Sequence, residues 1–169
     1  MVNLNWDKKK AEQSLGELNS QYSGNIKKIK TYKVSQDKKQ TRLIPTKWKN
    51  KLFWGNNYKA LRFFLQKYKQ KVDLIYIDPP FYSGANYELK IEKNNETYTE
   101  EAYQDKWHQD LDSYLQMIYE RLILMKKLLK DSGLIFIHLD WHASHYVKLI
   151  MDEIFGTDNF INSIVWYYY

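Results

Sequence analysis

Apolar and polar positions fall in blocks along this chain, and their spacing alternates between strand-like and helix-like. Residues 1–41 are polar and weakly periodic, and the lysine-rich stretch over 27–39 reads as a loosely structured arm. The character changes near Pro45. Lys51-Leu52-Phe53-Trp54 is a short apolar run stopped by Gly55-Asn56-Asn57, which predicts a buried strand over 51–54 ending in a turn. Leu61, Phe64, Leu65 and Tyr68 recur at helical spacing and predict a helix over 57–69, with Asn56 or Asn57 as its cap. Residues 73–77 sit in a nearly continuous apolar run, the pattern of a strand covered on both faces. Strand, helix and strand make a βαβ unit with a right-handed crossover.

Residues 82–100 are polar, carry Ser83, Gly84, Asn94 and Asn95, and read as a loop. Leu111, Tyr114, Leu115, Ile118, Leu122, Met125 and Leu129 then form a helical stripe over 110–130. Lys126, Lys127 and Lys130 suit its C-terminal end, and Asp131-Ser132-Gly133 closes it. A third strand is predicted over 134–138. Ala143, Val147, Ile150 and Ile154 mark a helix over 142–155 that stops at Gly156, and a fourth strand follows over 160–166. Such alternation predicts an α/β domain with a mostly parallel sheet flanked by helices.

Composition narrows the class. A chain of 169 residues is the size of one domain and long enough to bury a core. With 44% hydrophobic and 27% charged residues it is not a disordered composition. Cysteine is absent, which excludes disulfide scaffolds, thiolate zinc sites and cysteine nucleophiles, and fits a cytoplasmic protein. No apolar run approaches the ~18 residues of a membrane span, so no membrane partner is expected. The net charge of +6 is concentrated at one end: residues 1–50 carry 12 Lys/Arg against 4 Asp/Glu. A basic head on a nearly neutral body suits an anionic partner such as nucleic acid, and equally a solvated extension.

The most informative stretch is Asp78-Pro79-Pro80-Phe81, at the carboxyl end of a predicted buried strand, where α/β folds place ligands. Two consecutive prolines fix the backbone and remove two N–H donors. One carboxylate and one rigid carbonyl can then converge on a single amino group, and the Phe81 ring can stack on a planar substrate. The exocyclic amine of a base has that shape. A Pro-Pro pair after a strand is, by itself, more often a plain stop.

Context changes that balance. Asp78-Pro79-Pro80-Phe81 resembles the D-P-P-[YF] motif of the amino-methyltransferases that methylate adenine N6 in DNA. Residues 48–57, ending Gly55-Asn56-Asn57, resemble that family's strand ending in G-D-N. Leu74-Ile75-Tyr76-Ile77 leads into the motif as its catalytic strand does. Arg121-Leu122, Leu128-Leu129, the run from Gly133 to Asp140, the block Met151 to Gly156, and Asn159-Phe160 follow in the family's order. The resemblance spans about residues 45–166 and is to the β class that includes type III modification subunits.

The resemblance implies a Rossmann-like methyltransferase fold, incomplete in this chain, with a basic arm over 1–44 and a partial catalytic domain over 45–169. It implies S-adenosylmethionine as cofactor and double-stranded DNA with a flipped adenine as substrate. Asp78, Pro79, Pro80 and Phe81 are its catalytic residues, and Gly55, Asn56 and Asp78 touch the cofactor. Asp rather than Ser at position 78 favours adenine N6 over cytosine N4. A restriction subunit is a further implied partner.

Two departures stand out. The acid of the family's G-D-N is Asn56 here. The family's F-x-G-x-G cofactor loop has no counterpart, since the chain contains no G-x-G. The chain therefore reads as the N-terminal part of a longer enzyme, inactive alone. Its apolar end over 160–169 invites self-association. A non-catalytic nucleic-acid-binding remnant, or an amino-methyltransferase acting on RNA or protein, are the competing readings. His138, His142 and His145 with Asp140 have a spacing that invites a metal, but a strand end and a helix start are ordinary places for polar residues. No metal is assigned.

Overall fold

The computed structural model describes residues 5–6, 9, 51–84, 86–93, 96–104 and 110–167. Three helices, α1 (Asn57–Tyr68), α2 (Leu111–Leu128) and α3 (Ser144–Phe155), pack in sequence, α1 on α2 and α2 on α3. Four strands are β1 (Val72–Ile77), β2 (Asn86–Lys93), β3 (Glu96–Gln104) and β4 (Leu129–Ile137). β1 and β4 form a parallel pair, and β2 and β3 form a separate antiparallel pair. The coarse α/β class is thus present, with one two-stranded parallel sheet beside helices.

α2 is the centre of the core. Tyr114, Leu115, Ile118, Leu122 and Leu124 on it are at most 3% exposed, and Ala143, Val147 and Ile150 meet them from α3 and the residue before it. Burying each such aliphatic side chain stabilises the fold by about 1.5–3 kcal/mol. Asp110 caps α2, its carboxylate accepting from the Ser113 N–H at 3.1 Å and the Ser113 hydroxyl at 2.5 Å. The expected helix over 142–155 starts at Ser144 and ends at Gly156, whose φ of +92° a side chain would resist.

Among the described residues, the parallel pair is covered on one face only. Ile75, Ile77, Ile135 and Ile137 pack against the helical core. Leu74, Tyr76, Leu134 and Phe136 point the other way and are 43–64% exposed. The apolar run was expected to be covered on both faces; among the described residues nothing lies over the second.

Four other expectations are corrected. Residues 51–54 are not a strand: Phe53 turns onto α1, its ring 4.7 Å from Phe64, while Leu52 and Trp54 stay exposed. With no ladder partner among the described residues, a short apolar run gains nothing from strand geometry. The βαβ unit built on it is therefore not formed. Residues 160–166 are likewise outside any strand, with Ile161, Ile164, Val165 and Trp166 at least 75% exposed. The loop expected over 82–100 instead holds β2 and most of β3. Tyr87, Leu89 and Ile91 alternate with Glu88, Lys90 and Glu92, a two-residue period hidden by high polarity.

The fourth correction concerns Asp131-Ser132-Gly133. α2 ends before it, and the three residues lie inside β4 as a bulge: the register jumps from Val72↔Leu129 to Leu74↔Leu134. The expected arm over 1–44 lies outside the described residues except for Asn5, Trp6 and Lys9. Trp6 is not loose. It is buried at 8% exposure, edge-on to Tyr119 of α2 with centroids 5.4 Å apart. Lys9 is paired to Glu153 of α3 at 2.6 and 2.7 Å.

Candidate functional site

β1 and β4 end side by side, because Ile77 pairs with Ile137 in a parallel register. Asp78 and His138 are the next residues on each strand. The His138 N–H donates to the Ile77 carbonyl at 2.9 Å, which carries the ladder one step past the strands. Asp78-Pro79-Pro80-Phe81 leaves the sheet from this point. Asp78 is exposed; Pro79, Pro80 and Phe81 are half-buried.

The far side of the turn is fixed by α2. The Tyr114 hydroxyl donates to the Pro80 carbonyl at 2.8 Å. Tyr114 is fully buried, and its ring lies 5.4 Å from that of Tyr82. Tyr82 has φ +63°, a left-handed conformation that a bulky side chain adopts only under constraint. The chain therefore bends immediately after the motif. Among the described residues, neither the Asp78 carboxylate nor the Pro79 carbonyl has a hydrogen-bond partner.

Aromatic rings follow these acceptors in sequence and flank the end of the neighbouring strand. The Phe81 and His138 rings are 5.4 Å apart. Beyond His138, the Asp140 carboxylate contacts the His142 ring Nδ1 at 2.7 Å and accepts from the His142 backbone N–H at 2.9 Å. Trp141 is 74% exposed and stacks on the His142 ring at 3.7 Å. Of the histidines singled out in the sequence, His138 and His142 are thus ring neighbours. No group of three or more potential metal ligands converges among the described residues. No described helix is long and apolar enough to cross a membrane.

Gly55 and Asn56 lie at the start of α1. Gly55 has φ +144°, and nothing stands within 4 Å of where a Cβ would sit. Asn56 is the helix cap, its side-chain oxygen accepting from the Lys59 N–H at 3.1 Å. That oxygen already accepts one bond, and its carboxamide N–H groups add two donors that it can offer a ligand. No hydrogen bond among the described residues joins Gly55 or Asn56 to Asp78; the 78–81 turn follows β1, and these two stand at the start of α1.

Arg121 connects that element to α2. Its Nε donates to the Asn57 side chain at 2.8 Å, Nη1 donates to the Met117 carbonyl at 2.8 Å, and the guanidinium lies 5.6 Å from the Tyr58 ring centre. Burial lowers the Arg121 pKa against the pull of Glu120 and Tyr58. Burial, then Glu120, raises the Tyr58 phenol above its ordinary value.

Tyr114 and Tyr82 are the site residues that sequence reasoning missed. Tyr114 stood in the apolar stripe as one more core position. The signal was its hydroxyl, because a tyrosine in an aliphatic stripe needs a polar partner when buried.

Comparison with known proteins gives this geometry its family. The profile of the DNA methylase family matches residues 72–169, from the start of β1 onward. The StyLTI Mod subunit, a type III restriction-modification enzyme of Salmonella typhimurium, is 33% identical over 69% of this chain and 20% of its own length. The probable HindVI Mod subunit of Haemophilus influenzae, also type III, is 36% identical over 68% of this chain and 13% of its own. The type II methyltransferase M.EcaI of Enterobacter cloacae is 34% identical over 82% of this chain and 28% of its own. The chain therefore spans a fifth or less of the two Mod subunits and under a third of M.EcaI. The matched region takes in the parallel strand pair, the Asp78-Pro79-Pro80-Phe81 turn and the helix that holds it, and by that match the chain belongs to the DNA methylase family.

Proposed function

We propose that the protein containing this chain transfers a methyl group from S-adenosylmethionine to adenine N6 in double-stranded DNA. The observation that carries this reading is the 78–81 turn: an exposed carboxylate and a proline-fixed carbonyl without a partner among the described residues, in consecutive residues at the carboxyl end of a parallel strand, with an aromatic ring at Phe81. The names of the relatives, restriction-modification Mod subunits and methyltransferases, agree with it.

Adenine N6 is a poor nucleophile because its lone pair is delocalised into the ring. Two acceptors on its amino hydrogens return electron density to nitrogen. The Asp78 carboxylate and the Pro79 carbonyl are those acceptors, and Phe81 stacks on the base once it has left the duplex. A base inside the helix cannot reach a turn of this kind. The cofactor supplies an electrophilic methyl group on a sulfonium. Asp78, Gly55 with its open φ +144° backbone, and the Asn56 carboxamide N–H groups are the residues here that fit its polar parts. The DNA duplex itself is held mainly through phosphates. A restriction subunit is the further partner that this reading carries.

The test is nucleoside analysis by mass spectrometry. The full gene product is incubated with duplex DNA and methyl-labelled S-adenosylmethionine. Label in N6-methyladenine supports the reading. Label in N4-methylcytosine, in RNA or in protein, or none at all, contradicts it.

A further inference from the structure

We propose that Tyr114 is a positioning residue for the 78–81 turn: by holding the Pro80 carbonyl, it leaves the Pro79 carbonyl as the one that pairs with Asp78 against a substrate amino group. This rests on the methyltransferase reading above and adds to it a residue outside the motif.

The turn is tied at two points. On its entry side the Ile77 carbonyl accepts from the His138 N–H at 2.9 Å. On its exit side the Pro80 carbonyl accepts from the Tyr114 hydroxyl at 2.8 Å. Between the ties lie Asp78 and Pro79, and neither proline can add an N–H of its own. The two ties have different anchors. His138 belongs to the neighbouring strand. Tyr114 belongs to the first turn of α2, where its own N–H donates to the Asp110 carbonyl at 3.1 Å beside the Asp110 cap.

The second tie selects between two chemically equal groups. The Pro79 and Pro80 carbonyls are adjacent amide oxygens of similar basicity, and either could accept from an amino hydrogen. The Tyr114 hydroxyl occupies one of them. Tyr82, at φ +63° and with its ring 5.4 Å from Tyr114, turns the chain away directly afterwards. A fully buried phenol, itself locked into the helix core, therefore sets the orientation of the two remaining acceptors. Preorganised acceptors matter most in the transition state, so the effect belongs in turnover rather than in binding.

The experiment uses the full gene product and compares wild type, Tyr114→Phe and Tyr119→Phe. Tyr119 is a second buried tyrosine of α2, packed on Trp6. Phenylalanine keeps the ring and removes only the hydroxyl. Tyr114→Phe is expected to lower kcat for adenine methylation about tenfold. KM for DNA and for S-adenosylmethionine should stay within about twofold, and Tyr119→Phe should leave kcat unchanged. A wild-type kcat in Tyr114→Phe overturns the proposal, as does an equal fall in both variants, or a Tyr114→Phe protein that no longer folds. Wild-type protein that methylates no adenine at all overturns the site reading first, and this proposal falls with it.

Discussion

The rings of Phe81 and His138 stand 5.4 Å apart at an angle of 58°, bridging the carboxyl ends of the two parallel strands. Phe81 is thereby backed by a ring from the neighbouring strand. A backed ring is a stiffer platform than a lone one, and base stacking on such a platform contributes about 1–3 kcal/mol. Phe81→Ala is accordingly expected to weaken binding of a duplex whose target adenine is already unpaired by about tenfold or more. Fluorescence titration with 2-aminopurine at the target position measures this. Unchanged affinity would remove Phe81 from the base platform.

Trp6 should matter to stability although it lies far from the site in sequence. It is buried edge-on against Tyr119, next to the Lys9–Glu153 pair. Trp6→Ala is expected to cost about 3 kcal/mol, at the lower end for a large aromatic removed from a core. A urea unfolding curve checks it; a midpoint equal to wild type would show that the contact is not maintained.

Gly133 is a close-approach glycine. A Cβ there would stand 2.7 Å from the Leu129 side chain and 3.0 Å from the Val72 carbonyl. Leu129 can shift, but the β1 backbone cannot without breaking the strand pair. Gly133→Ala is expected to destabilise by about 1–3 kcal/mol. Thermal unfolding of the variant tests this, and an unchanged midpoint would mean that the bulge has room to spare.

Tyr58 gives a pH dependence with a definite sign. Its pKa is raised, first by burial and then by Glu120, so the neutral phenol is the form that the fold favours. Its contribution is fully present below the ordinary tyrosine value of about 10 and is lost as pH rises through the folded value. Tyr58→Phe cannot ionise. The variant should therefore lose less stability than wild type does between about pH 9 and about pH 11, on either side of the ordinary tyrosine value. Parallel losses in denaturant unfolding at the two pH values would contradict this.

The helices were legible in the sequence because each carries its own period. The stripe from Tyr114 to Met125 is buried along α2, and Ala143, Val147, Ile150 and Ile154 are buried at and along α3. β1 and β4 were legible as apolar runs. What failed was partnership. Leu52, Phe53 and Trp54 have strand-like composition, yet a strand requires a neighbour, and Phe53 found α1 instead. Gly133 reads as a helix stop because glycine after lysines is a common ending; the register shift of β4 against β1 makes it part of a bulge. In the site, Asp78-Pro79-Pro80-Phe81 was visible as a motif because its residues are contiguous. Tyr114 lies 34 positions from Pro80, and no local pattern links a helix hydroxyl to a turn carbonyl. Asn56 was foreseen both as a cap and as a cofactor contact, and its oxygen is committed to the first of these.

The central claim is that the Asp78 carboxylate acts on the substrate amine and not on the duplex. Asp78→Ala in the full gene product, assayed with saturating S-adenosylmethionine and adenine-containing duplex, tests it most directly. Loss of one preorganised acceptor removes about 2.7–4 kcal/mol of transition-state stabilisation, so kcat should fall about a hundredfold to a thousandfold. Duplex affinity, read by a gel-shift titration on the same preparation, should stay within about threefold of wild type, because phosphate contacts dominate it. Adenine methylation at the wild-type rate by Asp78→Ala, or loss of duplex binding that accounts for the whole fall in activity, would contradict the account.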